Sequence, residues 1–171
     1  MRDQFFRLYK DIKIAERYYC RYTCSSVIWN NIITGVCLFA SAVTISSWAI
    51  WKQLPLIWTV VIAASQVLSA LRPLLKSSSR LSAAKYLIPE MSRLLDDLSG
   101  VWDEMNYVRE YSDKEIHDAI QHYRKCYTDI REKYASSELF PEKQRIHQQA
   151  QNDAITFFSV QYDIPKELIE V

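Results

Sequence analysis

The chain has two glycines in 171 residues, Gly35 and Gly100, where ordinary usage near 7% would place about twelve. Glycine-rich phosphate loops, dinucleotide folds and turn-rich β architectures depend on glycine for positive φ or close backbone approach, so all are disfavoured. Histidine is scarce too. His117 and His122 are five apart and fall on different faces of a helix, unlike the i, i+4 pair of a zinc helix, and His147 is remote from both. Cys20 and Cys24 do share a helical face, but four zinc ligands are needed and no second pair exists. The carboxylate pairs Asp96-Asp97 and Asp103-Glu104 are sequence neighbours on helices, so they diverge into solvent rather than converge on one substrate atom. Nothing here points to catalysis, a cofactor or a metal.

Charge is missing from one block. Residues 25–71 contain a single charged side chain, Lys52, although the chain has 21 Lys/Arg and 20 Asp/Glu. Residues 1–24 hold six basic side chains against three acids, and residues 72–86 add Arg72, Lys76, Arg80 and Lys85 with no acid. The remainder carries ten basic and seventeen acidic residues, and the whole sums to +1. One broad basic face is absent, so nucleic acid is not an expected partner. The charge pattern instead divides the chain into a basic, aromatic N-terminal segment (1–24), an uncharged block (25–71) and a helical region (72–171).

Val27 to Ile50 is uncharged, and as a helix it would be about 36 Å long, against a hydrocarbon core of about 30 Å. Leu54 to Leu71 gives a second uncharged run of about 27 Å, with Pro55 suited to a first helical turn. The composition therefore predicts a transmembrane hairpin with spans at about 27–50 and 54–71. Lys52 would mark its turn, because a charge at the bilayer centre is costly. Trp29, Trp48, Trp51 and Trp58 would act as interfacial anchors, together with Arg17 and Arg21 before the first span and Arg72 and Lys76 after the second. By the positive-inside rule both termini face the cytoplasm, which makes this a multi-pass protein. A signal peptide is not expected, since the run starts 26 residues in and exceeds an h-region. The alternative is a helical hairpin buried in a core, which needs more apolar surface than the rest of the chain offers.

Asn30, Thr34, Cys37, Ser41 and Thr44 recur at steps of four and three, placing them on one helical face, and Thr59 and Gln66 share a face of the second run. Such a stripe either packs helices together, as small and hydroxyl-bearing residues do in membranes, or lines a pore formed by several copies.

Residues 1–24 have Phe5, Leu8, Tyr9, Ile12 and Tyr19 near one side and basic residues elsewhere. This describes an amphipathic helix that lies on lipid or packs on the rest of the protein. Further on, Met91, Leu95, Leu98 and Trp102 form one heptad-like seam, and Ile116, Ile120, Tyr123 and Tyr127 form another. Between them Ser112-Asp113-Lys114-Glu115 fits a capping box. Pro89 is expected to kink or restart its helix. A last helix is expected from Pro141 to about Tyr162, with Ile146, Ala150, Ala154 and Phe157 inward. The fold class read from these patterns is all-α.

The segments RYYCRYTC (17–24), WKQLP (51–55) and RPLLKSSSRLSAAKYLIPEMSRLL (72–95) together resemble the SLATT family of small bacterial two-transmembrane effector domains. The resemblance implies a non-enzymatic effector of a defence or conflict system. It would reside in the bacterial inner membrane, use the lipid bilayer as a partner, and assemble as a homo-oligomer into a pore when a sensor or regulator protein encoded nearby gives the signal. The other reading of the same features is a membrane-anchored helical scaffold that recruits or regulates a cytosolic partner.

Overall fold

In the computed structural model, residues 1–46, 60, 63–64, 66–67, 77–136 and 138–165 are described, with backbone alone at 37, 39–46 and 77–78. Helix α1 spans Arg2–Ser46, with Asp3 in its first turn, where a carboxylate complements the helix dipole. The apolar side chains spaced three and four apart along its first half end up in the protein core. Phe5, Leu8, Tyr9, Ile12, Tyr19 and Tyr22 are all buried there. Of the two fates open to the amphipathic segment, packing on the protein is the one observed.

Helix α2 spans Ser77–Asp103 and runs continuously through Pro89, so no restart occurs there. The proline ring lies on an exposed face, while Ala84, Leu87, Met91, Leu94, Leu95 and Leu98 are buried on the other. A π-helical turn follows at Glu104–Val108, closed by the Arg109 N–H donating to the Glu104 carbonyl at 3.1 Å. Its wider turn keeps Met105 buried before the chain becomes extended at Arg109.

Helix α3, Asp113–Tyr134, opens with the expected capping box. The Glu115 N–H donates to Ser112 Oγ at 3.3 Å, and the Ser112 N–H donates to Glu115 Oε2 at 2.8 Å. Helix α4 spans Gln144–Gln161 and buries Ala150, Ala154 and Phe158 completely. Phe158, rather than Phe157, is the inward aromatic. Phe157 is partly buried, with the Lys13 ammonium 4.4 Å from its ring centroid. All described residues in regular structure are helical, in agreement with the all-α expectation.

The chain divides into two compact units, Met1–Thr23 with Ser82–Val171, and Cys24–Leu81. In the first, the N-terminal half of α1 packs with α2, α3 and α4 around a shared core. Aromatic rings hold its centre together. Phe5 stacks on Trp102 at 6.3 Å and meets Tyr123 edge-on at 6.2 Å, while Phe158 meets Tyr9 at 4.9 Å and Phe6 at 5.2 Å. Such edge and offset contacts add roughly 0.5–1.5 kcal/mol each beyond the area they bury.

The membrane reading of the sequence requires correction. Among the described residues, no helix is long and apolar enough to cross a membrane. This overturns the localisation expected above, a multi-pass protein of the bacterial inner membrane with both termini cytoplasmic. That expectation rested on missing charge, and an uncharged run is not the same as an apolar one. Asn30, Asn31 and Thr34 interrupt the apolar residues of α1, and the first half of the same helix is committed to the charged, aromatic bundle. Most of the second run, 54–71, lies outside the described residues.

Candidate functional site

In the second unit, α1 continues beyond Thr23 with large apolar side chains in the open. Ile28 is 53% exposed, Trp29 63%, Ile32 51%, Val36 48% and Leu38 66%. Ile28, Ile32 and Val36 are spaced by four and therefore share one face. Asn30 and Thr34 are half-buried. The Thr34 hydroxyl donates to the Asn30 carbonyl at 2.7 Å, a bond within one helix turn. Gln66 is exposed. Cys37, Ser41 and Thr44 are placed by the α1 backbone alone, and Thr59, Trp48, Trp51, Lys52, Trp58, Arg72 and Lys76 lie outside the described residues.

Two of the residues read as membrane anchors belong to the first unit. Arg21 forms a two-armed pair with Asp153 of α4, at 2.5 Å from Nε to Oδ2 and 2.7 Å from Nη2 to Oδ1. That contact holds the Asp153 carboxyl below its ordinary range, mainly through the hydrogen bond from Arg21. Arg17 Nε stands 3.8 Å from Glu16 Oε2, and Glu16 is bound more closely by Lys13 at 2.9 Å. Lys13 and Glu16 are buried together, so each neutralises a charge that would otherwise be costly in the bundle.

The seam residues converge. Met91, Leu95, Leu98, Ile116 and Ile120 are buried in a single cluster, with Trp102, Tyr123 and Tyr127 partly buried against it.

An open cleft of about 560 Å³ lies in the first unit, where α1, α3, α4 and the segment before α4 meet. Ile14, Ala15, Tyr18, Tyr19 and Phe140 supply its apolar wall, with Tyr19 and Phe140 edge-on at 5.2 Å. The Tyr18 hydroxyl donates to the Pro141 carbonyl at 2.8 Å and accepts the Lys143 N–H at 3.1 Å, which pins the aromatic wall to the chain entering α4. Burial pushes the Tyr18 hydroxyl up, and the bond from Lys143 opposes it.

Polar groups stand on the same cleft: Asp11 from α1, Arg131 from α3, Glu142, and His147 and Gln151 from α4. Arg131 lies over the Tyr127 ring at 5.5 Å. Its guanidinium is held up first by Tyr127 and also by Tyr19, against partial burial. Partial burial raises the Asp11 carboxyl, against Lys10 and Arg7. The sequence pattern identifies Tyr127 only as a seam residue and gives no role to Tyr18. The spacing Tyr127–Arg131, i to i+4 on one face, was the available signal for the polar wall. Phe140 comes from a break between helices, where periodicity says nothing.

Among the described residues, no group of three or more His, Cys, Asp or Glu side chains is placed to hold a metal ion. Cys126 Sγ and His122 Nε2 are 3.7 Å apart on α3. No family model, curated protein or solved structure matches this chain.

Proposed function

We propose that this protein acts by association rather than by catalysis, as a helical adaptor that self-assembles and recruits or regulates a partner. The observation that carries the reading is the row of exposed apolar side chains on α1, Ile28, Trp29, Ile32, Val36 and Leu38, in a stretch with no charged residue from 25 to 51. Exposed apolar surface of this kind marks an interaction site. A second copy of the same helix is its occupant. The face carries no charge to select an unlike partner, and Asn30 and Thr34 beside it can meet their own counterparts across a two-fold axis. The four-helix unit then presents a folded surface to a regulator.

The resemblance to the SLATT family supports placing this association in a defence or conflict system. A membrane pore needs spans that the described helices do not supply, so the adaptor reading is preferred over it. Sedimentation equilibrium on the full chain in mild detergent tests the proposal. A mass at a multiple of 20.1 kDa is expected, and a monomer throughout the micromolar range would refute it.

A further inference from the structure

The cleft in the first unit has properties that self-assembly does not use. Its volume of about 560 Å³ is within the range of small-ligand sites, about 300–1,000 Å³, which combine an apolar wall with a few oriented polar groups. The wall is aromatic, from Tyr18, Tyr19 and Phe140, and the two ring contacts of Tyr19, with Phe140 at 5.2 Å and Tyr18 at 5.6 Å, fix its shape before any ligand arrives. The charged groups are of both signs. Arg131, over the Tyr127 ring at 5.5 Å, presents a guanidinium, and Asp11 and Glu142 present carboxylates to the same space. A ligand with one anionic group alone would meet both carboxylates unfavourably. A simple amine would leave the guanidinium unused. A neutral ring would forgo all three charges.

We propose that this cleft binds an aromatic zwitterion of the amino-acid class. Its ring lies against Tyr18, Tyr19 and Phe140, its carboxylate pairs with Arg131, and its ammonium faces Asp11 and Glu142. Guanidinium–carboxylate pairing is a charge-assisted, two-pronged contact, which makes Arg131 the residue that selects for the carboxylate. The cleft is lined by residues of the first unit and the proposed assembly face by residues of the second.

Calorimetric titration of the full chain with L-phenylalanine and its fragments tests this. L-Phenylalanine should bind with a Kd of about 1 mM or tighter. Phenethylamine, which lacks the carboxylate, 3-phenylpropionate, which lacks the ammonium, and L-alanine, which lacks the ring, should each bind about tenfold more weakly, the loss of one charge-assisted contact or of the ring burial. In Arg131→Met, L-phenylalanine should bind no better than phenethylamine, while phenethylamine binds as it does to the unaltered chain. In Glu142→Gln, where Asp11 remains, L-phenylalanine should lose part of its advantage over 3-phenylpropionate. A variant that merely unfolded would lose every ligand together, and thermal melting with a retained transition excludes that case. Absence of saturable heat with L-phenylalanine at about 10 mM would overturn the proposal, as would equal binding of 3-phenylpropionate or no effect of Arg131→Met.

Discussion

Gly100 lies inside α2 with its surface exposed, and open space surrounds the position a Cβ would take. Glycine in a helix interior costs roughly 0.5–1 kcal/mol relative to alanine because its unfolded chain has more freedom to lose. Gly100→Ala should therefore raise the denaturation midpoint by that stabilisation with an unchanged m-value, measured by urea unfolding. Asp153 makes a second residue-scale case, with a pH dependence. Its folded pKa is lowered, chiefly by the hydrogen bond from Arg21, so its contribution is complete above the unfolded carboxylate range near 4 and is lost as pH falls through the lower folded value. With both side chains partly open to water, the pair contributes about 0.2–1 kcal/mol. Asp153→Asn should lower stability by that amount at neutral pH, and the gap to the unaltered chain should close as pH falls below the unfolded carboxylate range near 4. A gap that stays constant through acid titration would show that the carboxylate's charge plays no part.

At the scale of the helices, much was legible in sequence because local rules decide it. The capping box at Ser112 and Glu115 forms because both side chains satisfy N–H groups that a helix start leaves unpaired. Ser112→Ala should cost about 1 kcal/mol, read as a shift in thermal midpoint. The seam was legible for the same reason, as apolar residues every three or four positions have one face to bury. Ile120 is nearly inaccessible in that seam. Ile120→Asp should cost several kcal/mol, an unpaired charge in an apolar cluster, and unchanged unfolding would mean the seam is not the core. The inward aromatic of α4 was misjudged by one position. Ala150 and Ala154 predict 157 or 158 equally well by helical spacing, and only the tertiary fit of Phe158 between Phe6 and Tyr9 decides. Beyond the Tyr127–Arg131 spacing the cleft was not legible. It brings Asp11 and Tyr18 of α1 together with Arg131 of α3, Phe140, and His147 of α4, and no single-helix period connects these separate elements.

For the whole molecule, one helix serves two purposes. The first half of α1 supplies Phe5, Tyr9 and Ile12 to the core of the first unit, and the same helix then carries exposed Ile28, Ile32 and Val36 in the second unit. Missing charge in sequence suggests lipid, yet the same feature is what the proposed interface between copies requires, because neither environment tolerates unpaired charge. The two uses of α1 can be separated by mutation. Ile32→Asp places a carboxylate in the middle of the exposed face, where water solvates it in the isolated chain but a second copy would bury it against an identical charge. Ile32 is half exposed and belongs to the second unit. The variant should therefore keep its thermal midpoint within about 0.5 kcal/mol of equivalent stability, while the assembled mass in sedimentation collapses towards 20.1 kDa. Ile120→Asp should do the reverse, unfolding the bundle at a lower temperature whatever the state of assembly. If Ile32→Asp leaves the assembled mass intact, the exposed face of α1 is not the contact between copies.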